Sequence, residues 1–126
     1  MLKRIIVVDD DKEIREIITF VLTHHGFKVS AASDGQQLQH LLIQLIPDLI
    51  ILDVMMPGED GYHICSSLRS NAQTRHIPVI IMTAHVEDIY ERISLDLGVA
   101  DHITKPFHPV ELVEKVKVLL HTTSQN

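Results

Sequence analysis

Residues 49–53 read Leu-Ile-Ile-Leu-Asp, a short apolar run that ends in a carboxylate. Two further apolar runs and a fourth, strand-like stretch also end in polar residues. Ile5-Ile6-Val7-Val8 runs into Asp9-Asp10, Val79-Ile80-Ile81-Met82 runs into Thr83, and His102-Ile103-Thr104 runs into Lys105-Pro106. Short β-branched runs between helical segments are typical of buried parallel strands. The sequence therefore predicts a parallel sheet whose strands end in polar residues.

Between these runs the apolar residues recur at helical spacing. The helical stripes cover residues 14–22, 38–45, 64–68, 86–97 and 112–120. A less apolar strand, 27–32, is expected nearer an edge of the sheet, and residues 54–61, with Pro57, Gly58 and Gly61, are predicted to form a loop. Alternating strands and helices predict an α/β fold, a doubly wound five-stranded parallel sheet with helices on both faces.

Composition limits the class of protein. The chain has 126 residues, enough for one domain, and we expect that domain to cover residues 1–121 with a polar tail at 122–126. A formal net charge of −6 disfavours direct binding of nucleic acid. The longest apolar runs are far shorter than the roughly 20 residues of a membrane span. A single cysteine fits a reducing compartment, so we expect a cytoplasmic protein.

The polar residues at the strand ends have a common chemistry. In an open α/β sheet, ligands bind beyond the carboxyl ends of the strands, where Asp9, Asp10 and Asp53 are expected to meet. Clustered carboxylates stay ionised when a cation neutralises them, and oxygen ligands suit Mg²⁺, which Mn²⁺ can replace. An aspartate can also act as a nucleophile towards phosphorus. Lys105 and Thr83 are placed to contact phosphoryl oxygens, so the rim is predicted to handle a phosphoryl group.

Four motifs, taken together, match a known family. They are Val7-Val8-Asp9-Asp10-Asp11, Leu52-Asp53-Val54-Met55-Met56-Pro57-Gly58-Glu59-Asp60-Gly61, Met82-Thr83-Ala84 and Ile103-Thr104-Lys105-Pro106-Phe107. The chain resembles the receiver domain of two-component response regulators over essentially its whole length. The resemblance implies a strand order of the flavodoxin-like type and a phosphorylation-dependent signalling switch rather than an ordinary enzyme.

The resemblance also implies a role for each carboxylate. Asp53 would accept the phosphoryl group from a phosphohistidine on a sensor histidine kinase or a histidine phosphotransfer protein. Asp9, Asp10 and Asp53 would bind Mg²⁺, with Asp10 and Asp53 in the most direct contact. The backbone carbonyl of Met55 would complete the protein ligands. The domain would assist its own phosphorylation and dephosphorylation.

The response to phosphorylation is expected at the neighbouring strand ends. By resemblance, Thr83 and Lys105 would contact the phosphoryl group, and the Lys105–Pro106 peptide bond would be cis. An aromatic residue usually stands three positions before the lysine and turns inward on activation, but here that residue is His102. Our hypothesis is that His102 still acts as the switch, in a manner that depends on pH. The output domain or partner would be contacted by the helix predicted over 86–97, the last strand and the last helix.

Two other functions are compatible with parts of the pattern. A pseudo-receiver would serve only as an interaction module, but such domains usually lack an acidic residue or the lysine, and this chain keeps both. A magnesium-dependent phosphohydrolase with an aspartyl nucleophile typically has a second aspartate two residues later. Met55 stands at that position in this chain.

Overall fold

The computed structural model describes residues 2–84 and 99–121. The strands and helices that the sequence predicts in this part of the chain are present, and two additional two-residue strands lie between residues 53 and 61. In chain order they are β1 (Arg4–Val8), α1 (Lys12–His24), β2 (Lys28–Ala32), α2 (Gly35–Gln44), β3 (Leu49–Asp53), β4 (Met55–Met56), β5 (Glu59–Asp60), α3 (Gly61–Ser70), β6 (Val79–Thr83), β7 (Asp101–Thr104) and α4 (Pro109–His121).

Five of the strands form one parallel sheet in the order β2-β1-β3-β6-β7. This is the doubly wound, flavodoxin-like order, in which the chain builds outward in one direction and then in the other. β2, which the sequence predicts to be less apolar and nearer an edge, lies at an edge of the sheet, as expected. The central strands β3 and β6 are buried along their whole length, which explains their continuous apolar sequences.

Each face of the sheet is covered by helices and carries its own apolar cluster. One cluster joins alternate residues of β1 and β3, such as Ile6 and Ile50, to apolar residues of α2 and α3. The other joins the intervening residues, such as Ile5 and Ile51, to α1 and α4. Because both faces are occupied by packed side chains, the edge where the strands end is left for polar chemistry.

The helix ends follow local sequence signals. The Asp34 side chain caps α2 by accepting a hydrogen bond from the Gln37 amide. Gly26 follows α1 with a φ of 90°, the left-handed conformation that commonly ends a helix. Asp11 caps the start of α1 in the same manner as Asp34, through the amides of Glu13 and Ile14.

The expectation of a simple loop over residues 54–61 is wrong. Two short antiparallel strands, β4 and β5, form a hairpin there, and α3 already begins at Gly61. Pro57 and Gly58 make the turn, and Gly58 has a φ of 71°. Proline followed by a residue with positive φ is the pattern of a type II turn, which brings the two strands together.

Two predicted segments lie outside the described residues: the helix predicted over 86–97 and the polar tail at 122–126. Within the ranges that the structure does describe, no helix combines the length and apolar character needed to cross a membrane.

Candidate functional site

Three carboxylates gather at the carboxyl edge of the sheet. Asp9 directly follows β1, and Asp53 is the last residue of the neighbouring strand β3. Asp9, Asp10 and Asp53 each offer an oxygen within 4.8 Å of the other two. Asp9 and Asp53 are buried whereas Asp10 is exposed, so the cluster combines two buried carboxylates with one that solvent reaches.

Asp9 makes polar contacts with three other residues. Its Oδ1 accepts a hydrogen bond of 2.9 Å from the Asp11 amide, and its backbone carbonyl accepts one of 2.8 Å from Arg15 Nη1. Its Oδ2 lies 2.9 Å from Lys105 Nζ in an ion pair, but no group of the described residues reaches this buried atom with hydrogen-bond geometry. Burial raises the pKa of the Asp9 carboxyl, and the Asp11 amide and Lys105 offset only part of that rise.

Asp53 is fixed through both of its carboxylate oxygens. Oδ1 accepts a hydrogen bond of 2.9 Å from the Met55 amide, and Oδ2 accepts one of 3.0 Å from Lys105 Nζ. Met55 is the first residue of β4 and its side chain is exposed. The hairpin that follows β3 therefore supplies a backbone donor directly to Asp53.

Lys105 is the cation that bridges the two buried carboxylates. It follows β7, and its backbone amide donates a hydrogen bond of 2.9 Å to the carbonyl of Thr83 at the end of β6. The Lys105–Pro106 peptide bond is cis, as the resemblance implied. Burial lowers the pKa of Lys105, but its contacts with Asp9 and Asp53 outweigh that effect and hold the pKa above its usual value.

Thr83 and His102 share one face of the sheet. Thr83 is buried at the end of β6, and Ile81 lies two residues before it on the same face. His102 pairs in register with Ile81, so it lies on that face too, diagonally behind Thr83. The His102 side chain is half-buried, and its amide donates to the Asp101 carboxylate at 2.8 Å.

The cluster suits a small divalent cation. Its donors are three carboxylates, which are hard oxygen ligands of the kind that Mg²⁺ prefers. The buried Asp9 Oδ2, which lacks a hydrogen bond from the described residues, still has a lone pair to offer. Asp10 is exposed, so its carboxylate is accessible from solvent.

The comparison with known families agrees with this geometry. A family model of the response regulator receiver domain matches residues 5–117. The chain belongs to that family. As a receiver domain, it is a signalling domain of two-component systems whose role is a phosphorylation-dependent switch.

Relatives and solved structures agree with the family. The transcriptional regulatory protein GltR of Pseudomonas aeruginosa is 40% identical over 118 residues, which make up 94% of this chain and 49% of that protein. The phosphate regulon transcriptional regulatory protein PhoB of Klebsiella pneumoniae is 41% identical over 124 residues, 98% of this chain and 54% of that protein. This receiver domain thus spans about half the length of those relatives. The receiver domain of Francisella response regulator 1452 is 34% identical, with a TM-score of 0.83 over 96% of this chain and 98% of that chain.

Two contacts around the receiver site do not follow from the sequence. Arg15 donates to the Asp9 carbonyl, and Glu59 accepts from the amide of Gly35. Both partners are backbone atoms, which carry no signal of their own in the sequence. In the sequence, Arg15 resembles any other charged residue of α1, and Glu59 belongs to a segment whose sequence predicts a loop.

Proposed function

We propose that Asp53 is the phosphoacceptor of this receiver domain. The observation that carries the proposal is the position of its carboxylate, which is held between Lys105 Nζ and the Met55 amide beside Asp9 and Asp10. A buried carboxylate fixed at both oxygens is presented to a phosphoryl donor in a defined orientation. Phosphoryl transfer depends mainly on such positioning and on neutralisation of charge.

In the transfer step an Asp53 oxygen forms a bond to phosphorus. The bond between phosphorus and the donor nitrogen breaks, and the electron pair leaves with the imidazole of the donor histidine. Lys105 already contacts Asp53 Oδ2, so it is placed to neutralise charge on the incoming group. The Met55 amide stays hydrogen-bonded to Asp53 Oδ1 and restrains the carboxylate.

We assign the cation site to Asp9, Asp10, Asp53 and the backbone carbonyl of Met55. Mg²⁺, or Mn²⁺ in its place, would supply positive charge to the phosphoryl oxygens when bound. The buried Asp9 oxygen and the exposed Asp10 carboxylate support this assignment. The assignment of the Met55 carbonyl is supported by its position two residues after Asp53, at the start of β4.

Thr83 and His102 are proposed to transmit the change to the surface. Phosphorylation adds charge and strong acceptors at Asp53, which would draw the Thr83 hydroxyl towards them. Because His102 lies diagonally behind Thr83 on the same face, a shift of Thr83 changes the space available to the imidazole. If His102→Tyr, His102→Ala and the parent protein show the same partner affinity when phosphorylated, His102 is not the switch.

We further propose the partners and boundaries of the domain. Residues 1–121 would form the receiver unit in the cytoplasm and take phosphoryl groups from a sensor histidine kinase or a histidine phosphotransfer protein. The length of the relatives and their description as transcriptional regulators support an output domain or partner. That partner would contact β7, α4 and the helix predicted over 86–97, which lies outside the described residues.

Incubation with Mg²⁺ and acetyl phosphate, followed by intact-mass analysis, tests the central claim. The parent protein is expected to gain one phosphoryl adduct, and Asp53→Ala is expected to gain none. Peptide mapping after borohydride reduction should place the modification at residue 53. If the parent protein stays unlabelled under conditions that label a control receiver, the proposal of a phosphorylation-dependent switch is wrong. The alternative of a pseudo-receiver that serves only as an interaction module then gains support.

A further inference from the structure

Glu59 ties the hairpin beside the phosphoacceptor to the start of a distant helix. Its Oε1 accepts a hydrogen bond of 2.9 Å from the amide of Gly35, the first residue of α2, 24 positions earlier in the chain. The contact is partly buried. A carboxylate is also favoured at this place because the first amides of a helix carry positive charge.

Gly35 provides the space for this contact. A Cβ atom built at residue 35 would overlap the Glu59 carboxylate and would approach Ile64 Cδ1 to 3.3 Å. The backbone of Gly35 does not adopt a positive φ, so its conformation is open to other residues. A side chain at residue 35 is therefore opposed by the present position of the Glu59 carboxylate, which would have to move, and not by the backbone conformation.

The hairpin connects Glu59 to the phosphoacceptor. Glu59 on β5 pairs with Met56 on β4, and the adjacent residue Met55 donates its amide to Asp53 Oδ1. The path from α2 to Asp53 thus consists of one side-chain hydrogen bond, one pair of short strands and one amide. Two-residue strands are weak by themselves, so their position depends on such anchors.

We propose that Glu59 is a positioning residue for the phosphoacceptor site. By anchoring β5 to the start of α2, it holds the Met55 amide against Asp53 and keeps the Met55 carbonyl in place for the cation. The part of this role that concerns the Met55 carbonyl and the cation rests on the proposed function above. The anchoring itself does not, and it can be measured in the metal-free, unphosphorylated protein.

Amide hydrogen exchange at Met55 and Met56 in metal-free protein is the direct test. Glu59→Ala removes the acceptor and is expected to speed exchange at both amides by about tenfold. Glu59→Gln keeps an acceptor oxygen and is expected to restore most of the protection. Asp34→Ala is the matched control, because it removes a cap from the same end of α2 without touching the hairpin. Equal exchange at Met55 in Glu59→Ala and Asp34→Ala would overturn the proposal.

Gly35→Ala separates the anchor from ordinary helix stability. A purely structural view expects this substitution to stabilise α2, since alanine favours helix more than glycine does. The anchor predicts that the added methyl displaces the Glu59 carboxylate and speeds exchange at Met55. In a Glu59→Ala background the same substitution should have no further effect on Met55 exchange. An additive effect in the double variant would contradict the proposed path.

Binding of Mg²⁺ alone, measured by calorimetry, gives the functional readout. Glu59→Ala is expected to weaken Mg²⁺ binding by about tenfold, as is typical when a group that orients a ligand is lost. Glu59→Gln and Asp34→Ala should bind Mg²⁺ like the parent protein. Unchanged affinity in Glu59→Ala would overturn the role at the cation. Failure of the parent protein itself to bind Mg²⁺ or to form an adduct would instead refute the proposed function.

Discussion

Asp9 illustrates how a single residue can be costly for stability and useful for function. Its side chain is fully buried, and one of its oxygens has an ion pair but no hydrogen bond from the described residues. Burying an ionised carboxylate costs free energy, which is why the pKa of Asp9 lies above its usual value. The contribution of Asp9 to the stability of the fold is therefore most favourable when its carboxyl is protonated. This contribution is lost as pH rises through the raised pKa of the folded state.

Asp9→Asn should stabilise the metal-free protein at neutral pH. The amide keeps the shape of the carboxyl but carries no charge to desolvate, so the expected gain is on the order of 1 kcal/mol, or about 4 °C in Tm. Thermal unfolding followed by circular dichroism in EDTA measures it. The gain in stability should vanish at a pH below the ordinary pKa of aspartate, because Asp9 of the parent protein is then protonated in both the folded and the unfolded state. A gain that is independent of pH would contradict this explanation.

Lys105→Met should change Mg²⁺ affinity and stability in opposite directions. Lys105 Nζ contacts Asp9 and Asp53 at 2.9 and 3.0 Å, so it competes with a cation for the same oxygens. Without it we expect Mg²⁺ to bind about tenfold more tightly, while the metal-free protein loses stability because two buried carboxylates face each other. Calorimetry and thermal unfolding measure the two effects.

Lys115→Met is the control for that substitution. Lys115 Nζ also makes an ion pair, at 2.9 Å from Asp101 Oδ1, but with a carboxylate of β7 that is not part of the acidic cluster. Its loss should leave Mg²⁺ affinity unchanged. Weaker Mg²⁺ binding in Lys105→Met would mean that the lysine supports the cation site instead of competing with it.

At the level of elements, the β4–β5 hairpin links its turn at Gly58 to Asp53, which accepts a hydrogen bond from the first residue of β4. Gly58 has a φ of 71°, and a Cβ at this residue would have nothing within 4 Å. Any cost of a side chain there is therefore conformational rather than steric. Gly26, at the end of α1, has the same two properties, with a φ of 90°.

Gly58→Ala and Gly26→Ala should lose similar stability and differ in function. The free energy of unfolding of each variant is expected to fall by about 1 kcal/mol, because a positive φ is unfavourable for alanine. Only Gly58→Ala disturbs the hairpin whose Met55 amide binds Asp53, so only this variant should be phosphorylated more slowly by acetyl phosphate. Equal labelling rates, measured by intact mass at a temperature well below both Tm values, would show that the hairpin does not position the carboxylate.

The sequence predicts the elements of this fold better than the contacts between them. The main strands, the α2 cap at Asp34 and the edge position of β2 follow from periodicity, capping chemistry and the apolar content of each run. The hairpin was missed because two-residue strands have no periodicity to detect. The contacts of Arg15 and Glu59 were missed because each joins a common surface residue to a backbone atom.

For the molecule as a whole, the two apolar clusters confine the buried charge to one edge. They fill both faces of the sheet, and the carboxylates of Asp9 and Asp53 lie beyond the strand ends. In a chain of net charge −6, this edge combines buried carboxylates with only one contacting lysine among the described residues. A divalent cation that binds the folded edge and not the unfolded chain must therefore stabilise the whole domain.

Addition of Mg²⁺ should raise the Tm of the domain in a saturable manner. At a free Mg²⁺ concentration ten times the Kd, the expected gain in the free energy of unfolding is about 1.4 kcal/mol, and EDTA should reverse it. Sodium chloride at the same ionic strength should not reproduce the gain, because screening acts on all charges whereas binding requires the cluster. Asp9→Asn and Asp53→Asn should abolish the gain, while Asp48→Asn, which removes a carboxylate that accepts from the Arg4 amide at the start of β1, should keep it. A gain of equal size in sodium chloride would mean that Mg²⁺ acts by screening the net charge and not by binding at the strand ends.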